Sequence, residues 1–247
     1  AGVDVTLFER RDEVGGRVRS RTVDGFTLDR GFQVLFTGYP AVREELDLAA
    51  LDLRAFSPGA TIARPDHRST LADPFRDPGS LLESAFNTDV SFADKLRILR
   101  LRRALVDEDP DTLFDGPNET IREYLERWGF SERFIENFAA PFYGGITLDR
   151  SLSTDAGVFR YTFAMLSRGK TAVPADGMGA IPEQLAASAR EAGATIETDV
   201  PVTDIDSRDD EVTLELDGET VTAEAAVVAT DPKTARDLTG VEDVPTE

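Results

Sequence analysis

The stretch that decides the fold is AGVDVTLFERRDEVGGRVRS, residues 1–20. Val3 to Phe8 is short, rich in β-forming residues and bounded by glycine and charge, which predicts a buried parallel strand. Glu9 follows this strand directly, and Gly15-Gly16-Arg17 comes shortly after it. Two adjacent glycines let the backbone approach a ligand closely, and an arginine offers a fork of donors to phosphate oxygens. The stretch therefore predicts the later part of a nucleotide site.

A strand that ends on an acid is one half of a dinucleotide-binding βαβ unit. The other half is a glycine-rich turn that lies roughly 20 residues before the acid and holds the pyrophosphate at a helix N-terminus. Counting back from Glu9 places that turn ahead of residue 1, so we expect the sequence to be a fragment. Glu9 alone would favour an ordinary strand end, because any α/β protein can end a strand on glutamate. The glycine pair and Arg17 shift the interpretation towards a dinucleotide site.

The segment ERRDEVGGRVRS resembles the second motif of FAD-dependent oxidoreductases of the amine oxidase, phytoene desaturase and protoporphyrinogen oxidase superfamily. Four further stretches resemble this family in the same order along the chain. They are FTLDRGFQVLFTGYP, PFYGGITLDRSLSTDA with the following GKTAVPADGMGAIPEQL, DVPVTDID and AAVVATDP. The ordered set is more specific than any one stretch.

The resemblance implies FAD as cofactor and assigns it a set of binding residues. Glu9 would bind the adenosine ribose, Gly15, Gly16 and Arg17 would lie at the pyrophosphate and flavin, and the backbone of Val202 would pair with the adenine. Arg11 is a weaker candidate for the phosphate. The segment beneath the flavin would comprise Gly31, Phe32, Gln33 and Val34; the family often has glycine or proline where this chain has Phe32. With no cysteine in the sequence, the FAD is expected to be non-covalent.

The order of patterns along the chain predicts an α/β fold in which a Rossmann-like FAD-binding domain, incomplete here, is interrupted by a mostly helical substrate domain. The FAD-binding domain would comprise residues 1–57 and 168–247, and the substrate domain residues 58–167. Local signals include a hairpin at Asp24-Gly25, helices capped by Ser91, Asn118 and Ser131, and a strand within AAVVAT.

The composition excludes several classes of function. The formal net charge is −20, and the 27 basic residues include only three lysines, a balance that we interpret as halophilic, with an ordinary acidic cytoplasmic protein as the alternative. A charge of this sign argues against nucleic acid as a partner. The single histidine, His67, and the absence of cysteine argue against a catalytic triad and a metal site.

Two features of the helical region each allow two interpretations. Helix 91–106 carries five basic residues and either packs on the insertion, which we favour, or makes peripheral contact with an anionic membrane. Nine aromatic residues line a substrate cavity or simply form the core. These are Trp128, Phe130, Phe134, Phe138, Phe142, Tyr143, Phe159, Tyr161 and Phe163.

The function implied by the resemblance is dehydrogenation or desaturation of a hydrophobic small molecule such as a carotenoid or a tetrapyrrole-like compound, with hydride transfer to flavin N5. A flavin amine oxidase is the alternative enzyme. A family-like scaffold that no longer binds FAD is the alternative from another class. No catalytic residue can be assigned from the sequence.

Overall fold

A computed structural model describes residues 2–31, 34–63, 68–72, 90–208 and 211–241. The chain divides into two compact units, which are treated separately below. The first unit comprises Ala1–Gly31 and Gly177–Glu247, and the second comprises Phe32–Asp176. The sequence grouped residues 32–57 and 168–176 with the FAD-binding domain, whereas these segments belong to the second unit. The functional role of each unit stays a prediction. Phe32, Gln33 and His67 lie outside the described residues.

The first unit combines a parallel strand pair, a hairpin, a three-stranded meander and two helices. β1 pairs in parallel with β9, β2 pairs with β3, and β10, β11 and β12 follow one another in antiparallel order. The strands are β1 (Thr6–Phe8), β2 (Arg19–Val23), β3 (Phe26–Arg30), β9 (Thr195–Glu197), β10 (Asp204–Arg208), β11 (Glu211–Glu215) and β12 (Thr220–Ala223), and the helices are α7 (Ala180–Glu191) and α8 (Pro232–Thr239).

The β2–β3 hairpin forms where the sequence predicts it. Asp24 and Gly25 have φ values of 51° and 80°, and positive φ at both central residues is the requirement of a type I′ turn.

The first strand differs from the expectation. It is parallel as predicted but is not buried, since Leu7 is 47% exposed. The predicted strand in AAVVAT is wrong: residues 225–229 have no regular structure, and Val227 is exposed. An apolar run alone does not supply a pairing partner.

In its described residues the second unit is mostly helical and carries two small antiparallel sheets. One sheet has the order β4-β8-β5, and the other is the β6–β7 hairpin. The strands are β4 (Leu35–Phe36), β5 (Arg54–Ala55), β6 (Gly59–Ala63), β7 (Arg68–Ala72) and β8 (Thr171–Val173), and the α-helices are α1 (Pro40–Glu45), α2 (Phe92–Leu105), α3 (Ile121–Arg127), α4 (Glu132–Phe134), α5 (Ala140–Thr147) and α6 (Ala156–Arg168). A 3₁₀ helix spans Pro110–Phe114, and a π turn at Ile135–Ala139 joins α4 to α5.

Helix caps follow the local sequence with one exception. Ser91 and Ser131 cap α2 and α4 as predicted, because each hydroxyl accepts a backbone N–H from the first turn. The prediction of Asn118 as a cap is wrong, and Thr120 takes that place. Thr120 forms a full capping box with Glu123, which satisfies two free backbone donors at once.

A buried carboxylate joins two of these caps. The side chain of Asp94 is fully buried, and its Oδ2 accepts from the hydroxyls of Ser91 at 2.5 Å and Ser131 at 2.6 Å. Its Oδ1 accepts from the backbone N–H of Ser131 at 2.9 Å and from Arg97 at 3.4 Å. Asp94 therefore fixes the start of α2 against the start of α4 across 37 residues of sequence.

Candidate functional site

The segment from Glu9 to Arg11 turns tightly at the end of β1. The backbone N–H of Arg11 donates to Glu9 Oε1 at 2.9 Å, which orients the carboxylate. The carbonyl of Glu9 accepts from Val200 N–H at 3.0 Å, and the carbonyl of Arg11 accepts from Asp199 N–H at 2.7 Å. Both side chains are partly exposed. The structure thus brings Glu9 and Arg11 together with the segment that leads to the partly exposed Val202.

The glycine turn, residues Gly15 to Arg17, packs against the end of the β2–β3 hairpin through backbone atoms. Gly31 has φ +97°, and a Cβ built on it would lie 1.8 Å from the carbonyl oxygen of Arg17. Gly15 has φ +108°, and its Cβ would lie 2.5 Å from the carbonyl oxygen of Val18. Only glycine fits these two positions, because the neighbouring atoms are backbone and cannot rotate away. The fold therefore requires both residues whatever ligand is bound.

Gly16 has a different environment. Its φ is +54°, and a Cβ built on it would meet no atom within 4 Å. Its neighbour Arg17 is exposed. The glycine turn thus presents bare backbone and a guanidinium group on an open side, which suits a ligand that carries phosphate and a flat ring.

A polar contact missed by the sequence analysis holds α7 against the hairpin. Ser20 Oγ donates to Asp29 Oδ1 at 2.5 Å across the β2–β3 pair. Asp29 Oδ1 also accepts from Met178 N–H at 2.9 Å, and Ser20 Oγ accepts from Gly179 N–H at 2.8 Å. Because α7 leads into β9, this contact connects the glycine turn with the strand beside Glu9. No sequence signal pairs Ser20 and Asp29 beyond their opposite positions in the hairpin.

The second unit contains a cavity of about 1770 Å³. The cavity is lined by Val34 and by seven of the nine aromatic residues that the sequence analysis singled out. The seven are Phe130, Phe134, Phe138, Phe142, Tyr143, Phe159 and Phe163. Trp128 and Tyr161 pack elsewhere, on Tyr124 and Tyr39. Phe130, Phe134, Tyr143 and Phe159 are also buried core residues, so the aromatic set has both roles.

The phenylalanines form one continuous row along the cavity wall. Ring centroids are 4.5 Å apart between Phe130 and Phe134, 5.3 Å between Phe134 and Phe138, and 5.5 Å between Phe138 and Phe142. The π turn lies in the middle of this row, and its hydrogen bond runs from Ala140 N–H to Ile135 O. π turns occur frequently at functional sites, where they change the direction of side chains. The row offers flat apolar contacts to a long or planar molecule.

The described residues do not indicate a metal centre or a membrane span. No group of three or more acidic or histidine side chains among them could hold a metal ion. None of the helices within the described ranges is long and apolar enough to cross a bilayer. On α2, Leu101 and Leu105 are buried while Phe92 and Leu96 are exposed. Membrane contact through this helix stays a prediction.

Solved structures similar to this chain include three oxidoreductases. An oxidoreductase from Methanosarcina mazei aligns with TM-score 0.69 and 20% identity over 100% of this chain and 57% of that one. Putrescine oxidase bound to putrescine aligns with TM-score 0.65 and 18% identity, over 96% and 55%. A candidate protoporphyrinogen oxidase from Exiguobacterium sp. 255-15 aligns with TM-score 0.57 and 18% identity, over 95% and 55%. Sequence identities of 18–20% support a shared fold only.

The chain spans little more than half the length of these structures. No curated protein matches its sequence significantly. The sequence model of flavin-containing amine oxidoreductases matches residues 1–245, nearly the whole chain. The predicted superfamily is therefore confirmed, and so is FAD as the cofactor that this membership implies. The chain belongs to the flavin-containing amine oxidoreductase family.

Proposed function

We propose that this chain is part of an FAD-dependent oxidoreductase that dehydrogenates a large apolar molecule. The residues around the glycine turn fit the cofactor. Glu9 has a partly exposed carboxylate that can accept from ribose hydroxyls, and Gly16 presents open backbone where a side chain would obstruct a ligand. Gly15, Arg17 and Gly31 shape the turn, Arg11 lies beside Glu9, and the backbone of Val202 is the proposed contact for adenine. We expect these residues to form part of a Rossmann-like site that holds FAD non-covalently.

When bound, FAD accepts a hydride at N5, and the protein's part is to bind and orient the substrate and to exclude water. The observation that carries the proposed substrate class is the aromatic cavity. Its described walls combine ten aromatic residues with aliphatic ones, and its volume of about 1770 Å³ exceeds the roughly 300–1,000 Å³ of ordinary ligand pockets. Such a cavity suits a carotenoid-like or tetrapyrrole-like molecule better than a small polar one.

A flavin amine oxidase is the second candidate, because putrescine oxidase is among the similar structures. One feature of the cavity opposes it. Among the described residues that line the cavity there is no carboxylate to attract an ammonium group, whereas five are arginine or lysine. We therefore favour the apolar substrate.

Anaerobic reduction of the bound flavin distinguishes these functions. The protein, expressed from its complete reading frame, is mixed with FAD, and its visible spectrum is recorded before and after addition of a polyene or of a primary amine. We expect flavin bands that are bleached by the polyene only. Bleaching by the amine would instead establish the second candidate. A folded protein that retains no FAD would establish the non-catalytic scaffold.

Gly16→Ala tests the proposed cofactor contact without disturbing the turn. The added methyl group meets no protein atom, and φ +54° lies in the left-handed region that alanine can adopt at a cost of about 1–2 kcal/mol. We expect the Kd for FAD, measured by quenching of flavin fluorescence, to rise about tenfold because the methyl group occupies space next to the cofactor. Gly240→Ala, at φ +67° and equally open, is the matched control and should leave FAD binding unchanged. Equal FAD affinities in the two variants would contradict the proposed contact.

A further inference from the structure

The walls of the aromatic cavity carry a charge opposite to that of the whole chain. The sequence contains 47 acidic and 27 basic residues. Even so, the described lining residues include no acid and five bases, namely Arg43, Lys95, Arg102, Arg168 and Lys170. In a chain of net charge −20, this excess of bases among the described lining residues favours a negative group inside the cavity.

Two of these cations bond to backbone carbonyls, and a third is exposed. Arg43 donates to the carbonyl oxygens of Thr37 at 2.8 Å and Arg168 at 3.2 Å. Arg168 in turn donates to the carbonyls of Val106, Leu105 and Glu108 at the end of α2. Lys170 is exposed beside them. Within the described ranges, none of the three forms an ion pair with a carboxylate.

These bonds hold the cations in place without neutralising them. Carbonyl acceptors fix the two guanidinium groups, and the hydrogen bond from the Arg43 guanidinium to the backbone carbonyl of Arg168 joins the two residues. The backbone N–H of Lys170 donates to Thr37 Oγ1 at 2.8 Å, which ties the residue to the segment that Arg43 also contacts. The result is a cationic cluster, defined here as Arg43, Arg168 and Lys170, on the wall of an otherwise apolar cavity.

We propose that the substrate is an amphiphile whose apolar body lies along the phenylalanine row and whose anionic head group binds the cationic cluster. This inference rests on the proposed function and narrows its substrate class. A carboxylate and a phosphate monoester share the chemistry that the cluster recognises, since each accepts charge-assisted hydrogen bonds. A neutral hydrocarbon would make no charged contact with the cluster, and an ammonium group would be repelled by it.

A fluorescent polyene acid tests the proposal without flavin turnover. cis-Parinaric acid and its methyl ester have the same apolar chain and differ in the negative charge. Binding to the flavin-free protein is followed by fluorescence, at the lowest salt that preserves the fold, because salt screens charges. We expect the acid to bind at least fivefold more tightly than the ester. Competition with dodecanoate and dodecyl phosphate then identifies which anion is preferred, and preference for either supports the proposal.

Charge reversal at Lys170 locates the head group. Lys170→Glu leaves the backbone bond to Thr37 intact and should weaken acid binding about three- to tenfold, with ester binding changed less than twofold. Lys233→Glu in α8 makes the same change of charge outside the cavity and should change neither. Equal binding of acid and ester, or equal losses in the two variants, would overturn the proposal.

A further control separates substrate from cofactor. If FAD displaces the acid and Lys170→Glu weakens FAD binding, the cluster serves the cofactor and the inference is wrong. If the acid binds as expected while FAD never does, the proposed oxidoreductase function fails and the anion site stands as a binding property alone.

Discussion

Asp94→Ala is expected to destabilise the second unit by about 3–5 kcal/mol, the range for removing one partner from a buried charged network. The fully buried carboxylate accepts from Ser91, Ser131 and Arg97, and without it these three donors lose a shared charged acceptor. A loss of this size is a large fraction of the roughly 5–15 kcal/mol that stabilises a typical domain. Urea unfolding followed by circular dichroism measures it.

Asp149→Ala is the matched control for this prediction. Asp149 also accepts from two serines, through the backbone N–H and the hydroxyl of both Ser151 and Ser153, but in a solvent-accessible loop. Water can replace the lost acceptor there, so the loss of stability should be clearly smaller. Equal losses in the two variants would show that burial of Asp94 contributes nothing.

The stabilisation by Asp94 depends on pH with a definite sign. Burial alone would raise the pKa of Asp94, but the hydrogen bonds from Ser131 and Ser91 outweigh it and hold this pKa below its ordinary value. A carboxylate with a lowered folded-state pKa stabilises the fold above its unfolded pKa of about 4, and this contribution is lost as pH falls through the folded value. The difference in unfolding free energy between the wild type and Asp94→Asn should therefore shrink progressively below about pH 4. A constant difference would contradict the assignment.

Gly31→Ala is expected to disrupt the glycine turn. The added Cβ would lie 1.8 Å from the carbonyl oxygen of Arg17 and 3.0 Å from its carbonyl carbon, and neither atom can move without moving the turn. Overpacking of this kind costs about 1–3 kcal/mol, and the positive φ adds about 1–2 kcal/mol. Because Gly16 and Arg17 move with the turn, the Kd for FAD should rise at least tenfold. Thermal unfolding and flavin fluorescence measure the two effects.

Gly25→Ala separates the clash from the conformational cost. Gly25 lies in the same hairpin and has φ +80°, but its Cβ would meet no atom within 4 Å. It should lower stability modestly and leave FAD binding unchanged. If Gly25→Ala weakened FAD binding as much as Gly31→Ala, the contact between Gly31 and Arg17 would have no special part in the site.

The features that the sequence predicted correctly are those with local causes. The Asp24-Gly25 hairpin needs only two residues that tolerate positive φ, and Ser91 and Ser131 cap helices through bonds to residues three positions away. Gly15, Gly16 and Gly31 were also singled out, and all three have positive φ in the structure, a conformation that glycine adopts easily. Their assignment to FAD came from the resemblance to a family, and the roles of Glu9 and Val202 stay predictions.

The features that the sequence missed depend on distant partners. Asp94 follows the predicted cap Ser91 by three residues, but its bonds to Ser131 join segments that no local pattern relates. The same is true of Gly31 against Arg17, and of Asp29 against the start of α7. The strand predicted around Val227 is an error of the opposite kind. The apolar neighbours of Val227 predicted a strand, but a strand needs a pairing partner, and none is present within the described residues.

The π turn at Ile135–Ala139 has a consequence for how this cavity could be reshaped. It amounts to one residue more than a regular α-helix needs over the same length. Deleting a single residue there would restore the regular helix and keep the residues on either side in phase, because the wide turn absorbs the extra residue. Phe130, Phe134, Phe142 and Tyr143 would then stay on the cavity wall, while Phe138, which lies within the turn, would change direction. A one-codon change in length would thus alter the cavity at one ring and leave the rest of the phenylalanine row in place.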